Sequence, residues 1–126
     1  MGKKISVLAV DDDPNMLEGL SEVLELEGFE VRTAPSASAA LQSAAANAPD
    51  LVLSDYQLPD ASGLELCAQL AQARPGTPLL MVTGRSLSPQ EKEAGRASGV
   101  REYVTKPFNM PELVALLRAL VPGRDK

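Results

Sequence analysis

The chain is 126 residues long, with 17 acidic residues against 12 basic ones and a formal net charge of -5; this suits one domain whose surface repels phosphate backbones. It has no histidine and a single cysteine, which excludes an intrachain disulfide, a zinc cluster and a histidine general base and fits a reducing compartment. No apolar stretch approaches the length of a membrane span, and the run after Lys3-Lys4 meets three aspartates too soon for a signal peptide, so the expectation is a cytoplasmic protein with no membrane partner and no direct nucleic-acid contact.

Ile5 to Val10 reads as a first strand, closed by Asp11-Asp12-Asp13. Met1-Gly2 with Ser6 has the spacing of an acylation signal, but Ile5 and Ser6 are required by that strand. Asp13 caps a helix that opens at Pro14 and ends at Gly28. A second strand, Glu30 to Thr33, leads to an alanine-rich helix from Ser36 to Asn47, with Ala37, Ala40, Leu41, Ala44 and Ala48 on one stripe. The third strand, Leu51 to Ser54, ends on Asp55, and Leu64, Cys67, Ala68 and Ala71 mark a third helix with Cys67 in the core. Leu79 to Val82 forms a fourth strand that ends at Thr83.

Ser88-Pro89-Gln90-Glu91 is a capping box that opens a fourth helix, weakened by Gly95 and ended by Gly99. The last strand, Glu102 to Val104, is weaker and edge-like, and Lys106-Pro107 behind it is restricted to an extended or a cis turn. Asn109 caps the fifth helix, whose Leu113, Leu116, Leu117 and Leu120 form the buried face. One domain over residues 1–121 and a frayed tail over 122–126 are expected. No output domain follows the fifth helix, which leaves both a stand-alone domain and a piece of a longer protein open.

Five apolar runs alternating with five helical segments predict an α/β fold, a doubly wound parallel sheet covered on both faces. Open sheets of this kind collect ligands at the carboxyl ends of their strands, and there Asp11, Asp12 and Asp55 converge. Clustered carboxylates repel one another, so they bind a cation or retain a proton. Magnesium, with manganese as the alternative, matches a set of hard oxygen donors. With that charge partly neutralised, one carboxylate can attack phosphorus, while Thr83 and Lys106 at the ends of the last two strands supply a hydroxyl and a cation.

Five segments in the right order resemble the receiver domain of two-component response regulators: Ala9-Val10-Asp11-Asp12-Asp13, Ser54-Asp55-Tyr56-Gln57-Leu58-Pro59, Gly63-Leu64-Glu65-Leu66, Val82-Thr83-Gly84 and Tyr103-Val104-Thr105-Lys106-Pro107-Phe108. The resemblance covers essentially the whole chain. It implies a flavodoxin-like strand order 2-1-3-4-5 and a signalling module phosphorylated by a histidine kinase or a phosphotransfer protein. Asp55 is then the phosphoryl acceptor, Asp12 a direct magnesium ligand, Asp11 an acid acting through metal-bound water, and the backbone carbonyl of Gln57 the remaining protein ligand. Thr83 would hydrogen-bond the phosphoryl group, Gly84 would leave room for it, Lys106 would pair with it, and Tyr103 would be the aromatic switch that swings inward when Thr83 moves. The side chains of Gln57 and Arg85 would flank the site and tune attack by water, and Leu58 stands where methionine is frequent, a volume-conserving change. The face of the fourth helix, fifth strand and fifth helix would meet an output domain or protein, or a second copy in a homodimer.

Two rival functions remain at this level. Asp11 and Asp13 at alternate positions are similar to the nucleophile and acid of haloacid-dehalogenase phosphatases, although Asn15 stands where those enzymes usually carry threonine or valine and no cap domain is read. The other is a receiver-like interaction module that works without phosphorylation. Loss of Asp55, Lys106 or the Asp11-Asp12 pair would have favoured it, and all are present.

Overall fold

The computed structural model describes residues 4–84 and 86–121. Arg85, expected to flank the site, and the tail over 122–126 lie outside the described residues. Five strands alternate with five helices: β1 (Ser6–Val10), α1 (Pro14–Leu26), β2 (Glu30–Ala34), α2 (Ala37–Ala46), β3 (Leu51–Asp55), α3 (Gly63–Ala73), β4 (Leu79–Thr83), α4 (Pro89–Ala97), β5 (Val100–Thr105) and α5 (Met110–Leu120). All neighbouring pairs are parallel and the order is β2-β1-β3-β4-β5, as expected.

Successive residues of a strand point to opposite faces, and the central strands are apolar at both. Val7, Ala9, Leu51, Leu53, Leu80 and Val82 face α1 and α5, where Leu17, Leu24, Leu113 and Leu117 close one core. Leu8, Val10, Val52, Leu79 and Met81 face the other side, against Ala40 and Ala44 of α2 and Leu66, Cys67 and Leu70 of α3. Burial pushes the Cys67 thiol up to about 12, so it packs as an inert apolar group. Among the described residues, no helix is long and apolar enough to cross a membrane.

The caps hold the helices where the sequence expects them. Asp13 accepts the amide protons of Asn15 and Met16 at 3.0 and 3.4 Å, and Asn109 accepts that of Glu112 at 3.1 Å. Gly28 and Gly99, at φ 98° and 99°, take the left-handed conformation just past α1 and α4. Three expectations need correction. Ala48 is exposed rather than on the buried stripe, because α2 stops at Ala46 and Asn47 is already extended. In α5, Leu116 and Leu120 are only half-buried, and Val114 takes a core place instead. The last strand begins earlier, at Val100, and its pairing with β4 shifts register between Leu79 and Leu80, which leaves Arg101 as an extra residue at the sheet edge.

Both ends of α2 are held by charges from elsewhere in the chain. The Arg32 guanidinium, on edge strand β2, donates to the carbonyls of Ser43 and Asn47 at the carboxyl end. At the amino end, Asp60 of the β3–α3 loop accepts the amide protons of Ala37 and Ser38, both at 2.9 Å. Each charge has the sign the helix dipole favours at that end.

Candidate functional site

The carboxyl ends of β1, β3, β4 and β5 deliver Asp11, Asp55, Thr83 and Lys106 to one rim of the sheet. Asp11 follows Val10 directly and is buried; its Oδ1 accepts the Asp13 amide proton at 2.9 Å, and its Oδ2 accepts from Lys106 Nζ at 3.1 Å. Lys106 also approaches Asp55 Oδ2 at 3.8 Å. The Lys106 backbone is fixed by its own N–H, which donates to the Thr83 carbonyl at 2.7 Å, and the bond to Pro107 is cis, one of the two forms expected.

One carboxylate oxygen from each of Asp11, Asp12 and Asp55 lies within 4.8 Å of the other two. Asp13 is spent on its cap and takes no part in that cluster, which weakens the phosphatase alternative. Burial raises the Asp55 pKa above the ordinary value, the charge of Asp11 adds to the rise, and Lys106 opposes it, as do the amide protons of Tyr56 and Gln57. Three acids that close are costly when ionised, and one ammonium offsets only part of their charge. Hard oxygen donors at this spacing, on a half-open rim with room for waters, fit a magnesium ion.

Beside Asp55 a cleft of about 280 Å³ is lined by Asp55, Tyr56, Gln57, Thr83, Gly84 and Lys106. Of the sequence-predicted residues, Asp11, Asp12, Asp55, Gln57, Thr83, Gly84 and Lys106 come together here, with Asp12 and the Gln57 side chain exposed at the surface and Thr83 buried, whereas Tyr103 does not line this cleft. At Gly84 a Cβ would meet nothing within 4 Å, so no protein neighbour demands glycine there and its expected role concerns only the space of the cleft.

The loop after Asp55 contains features that the sequence reading left out. A Cβ on Gly63 would collide with the Asp55 carbonyl and stand 2.9 Å from Met81 Sδ, so only glycine lets α3 begin against the end of β3. The Gly63 N–H donates to the Tyr56 carbonyl at 2.7 Å. Ser62 and Glu65 form a reciprocal capping box at 3.1 Å in each direction, a Ser-x-x-Glu signal plainly present in the sequence.

Tyr103 is half-buried on β5, and its hydroxyl donates to the Lys92 carbonyl at 3.1 Å. Burial raises its pKa. A Cβ on Gly95 would collide with that hydroxyl. Gly95, the buried residue of α4, therefore has a packing reason beyond the helix weakening expected from sequence.

The family model described as the response regulator receiver domain matches residues 7–118. A probable transcriptional regulatory protein of Mycobacterium tuberculosis, TcrX, is 40% identical over 120 residues, covering 95% of this chain and 51% of its own length. The response regulator MprA of Mycobacterium leprae is 38% identical over 115 residues, covering 91% of this chain and 50% of its own. The chain thus spans about half the length of the curated relatives it matches. Among solved structures, the Vibrio cholerae chemotaxis protein CheY4 superposes with a TM-score of 0.89 at 32% identity, covering 94% of this chain and 99% of that one. A putative response regulator of Chloroflexus aurantiacus gives 0.85 at 37% identity, covering 94% and 98%.

Proposed function

The chain belongs to the receiver domains of two-component response regulators, and from that membership we propose that it accepts a phosphoryl group on Asp55 from a sensor histidine kinase or a phosphotransfer protein. The observation that carries this reading is the convergence of the Asp11, Asp12 and Asp55 carboxylates within 4.8 Å, with Lys106 against two of them.

Magnesium, or manganese in its place, would be held by Asp12, Asp55 and the Gln57 carbonyl, with Asp11 acting through water, and when bound would neutralise the acids and bind phosphoryl oxygens. The remaining work falls to the chain itself. An Asp55 carboxylate oxygen attacks phosphorus, forming the O–P bond as the P–N bond to the donor imidazole breaks, and the departing nitrogen keeps the electron pair and is protonated from solvent. Lys106 is close enough to move from the carboxylates to a phosphoryl oxygen, and the buried Thr83 hydroxyl lines the same cleft as a further donor. Gly84 leaves the space, and the Gln57 side chain flanks the path of attacking water.

Phosphoryl chemistry on this reading is confined to gain and loss at Asp55 of the chain itself, with no turnover of an outside substrate. The signal passes when Thr83 shifts toward the phosphoryl group and Tyr103 moves with it, changing the α4-β5-α5 face that an output domain, a separate protein or a second copy would read. The single buried cysteine supports a cytoplasmic location. Treatment with acetyl phosphate and magnesium followed by intact-mass analysis and peptide mapping tests the reading: one alkali-labile adduct on Asp55 is expected, and an adduct that survives Asp55→Asn refutes it.

A further inference from the structure

The loop bearing Gln57 is a small hairpin anchored at its tip. Gln57 and Ser62 pair across its base, and the Leu58 N–H donates to the Ala61 carbonyl at 3.1 Å, which closes a turn with Pro59 and Asp60 at its centre. From that tip the Asp60 carboxylate reaches 23 and 22 residues back, one oxygen accepting from Ala37 N–H and the other from Ser38 N–H, each at 2.9 Å. These two donors hold its pKa below the ordinary value.

We propose that Asp60 is a positioning residue: it latches the phosphoacceptor loop to the amino end of α2 and thereby sets the direction of the Gln57 carbonyl for the metal. The inference rests on the metal reading given above. Ser36 caps the Ala39 amide from within the same segment, at 3.1 Å, whereas Asp60, which takes the Ala37 and Ser38 amides that Ser36 leaves, does so from another loop and so ties that loop to α2 as well as capping it. The hairpin's internal bonds fix its shape and its base but do not hold its tip. At the far end of the loop, tilt is limited by Gly63 against Tyr56 and by the Ser62 capping box. At the tip, Asp60 makes the bonds to α2. Without them the tip is released, and the peptide plane that joins the Gln57 carbonyl to the Leu58 N–H can turn as the Leu58–Ala61 bond loosens.

Calorimetric titration with magnesium chloride, on wild type, Asp60→Ala, Asp60→Asn and Ser36→Ala, separates the latch from a cap. Asp60→Ala should weaken magnesium binding about tenfold, the lower end of what losing a ligand-orienting partner costs. Asp60→Asn, with one acceptor oxygen left, should fall between. Ser36→Ala, which removes the other cap of α2 without touching the loop, should bind magnesium as wild type does. Thermal unfolding of each variant reports whether it is folded, and exchange at the Leu58 amide should speed up in Asp60→Ala alone. Wild-type affinity in Asp60→Ala, or an equal loss in Ser36→Ala, overturns the latch while leaving the metal reading intact. Failure of wild type itself to bind magnesium overturns both.

Discussion

The Tyr103 hydroxyl occupies the place that a methyl group on Gly95 would take, and from there it donates to the Lys92 carbonyl at 3.1 Å. Edge strand β5 is thereby pinned to α4, whose Gly95 is its one buried residue among those described. The obstacle to a larger residue at 95 is the tip of a side chain rather than backbone, so it can be relieved by rotating Tyr103 outward. Gly95→Ala should therefore eject Tyr103 without unfolding the protein. A gain of up to about 1 kcal/mol in helix propensity offsets a lost hydrogen bond of similar size, so stability should stay within about 1 kcal/mol of wild type. Tyrosine fluorescence and the NMR shifts of Tyr103 should report an exposed ring; an unmoved ring contradicts the argument.

Gly63 faces the opposite situation, because what its Cβ would strike is the Asp55 backbone carbonyl, with Met81 Sδ behind it at 2.9 Å. Neither the strand nor the first turn of α3 can yield without shifting Asp55. Gly63→Ala should cost about 2 kcal/mol or more in urea unfolding and also slow phosphorylation by acetyl phosphate. Wild-type stability with wild-type phosphorylation would show that the contact is relieved elsewhere.

Most of the fold was legible because the three central strands are short apolar runs and the caps at Asp13, Ser88 and Asn109 sit next to the helices they start. The site was legible for the same reason: Asp11, Asp55, Thr83 and Lys106 each terminate or follow a strand, and parallel strands bring their carboxyl ends to one rim. What escaped depends on distance along the chain or on shape. Asp60 serves a helix 22 residues upstream, and no local pattern marks such a partner. Gly63 and Gly95 read as motif and breaker, since the atoms that exclude a side chain there belong to other elements. The Ser62-Glu65 box, by contrast, is a local signal of the same kind as Ser88-Glu91.

Asp12 and Asp13 are neighbours with different duties, and substitution separates them. Asp13 uses its carboxylate to hold the Asn15 and Met16 amides, whereas Asp12 is exposed and contributes to the acid cluster. Asp12→Asn should abolish magnesium binding at concentrations that saturate wild type, and phosphorylation with it. Asp13→Asn should retain both, because asparagine caps nearly as well as aspartate. Equal losses in the two metal titrations would contradict the division.

Asp55 and Asp60, five residues apart, should give opposite signs in a pH series on the metal-free protein. The pKa of Asp55 is raised on folding, by burial first and by Asp11 second, so its ionisation disfavours the native state. That penalty is present above the raised value and disappears as pH falls through it toward the unfolded carboxylate value. Asp55→Asn should therefore be more stable than wild type at neutral pH, with the advantage fading in acid. Asp60 is held below its ordinary value by the Ser38 and Ala37 amides, so it contributes stability that is complete above the unfolded value and lost as pH falls through the folded one. Asp60→Ala should be less stable than wild type at neutral pH, and the deficit should close under acid conditions. Urea midpoints followed by circular dichroism across the acid range read both differences. Adding magnesium at neutral pH should shrink the Asp55→Asn advantage, because the ion stabilises the wild-type acid cluster by mass action. A destabilised Asp55→Asn in metal-free buffer would mean that Lys106 outweighs burial and Asp11, reversing the electrostatic balance assigned to the site.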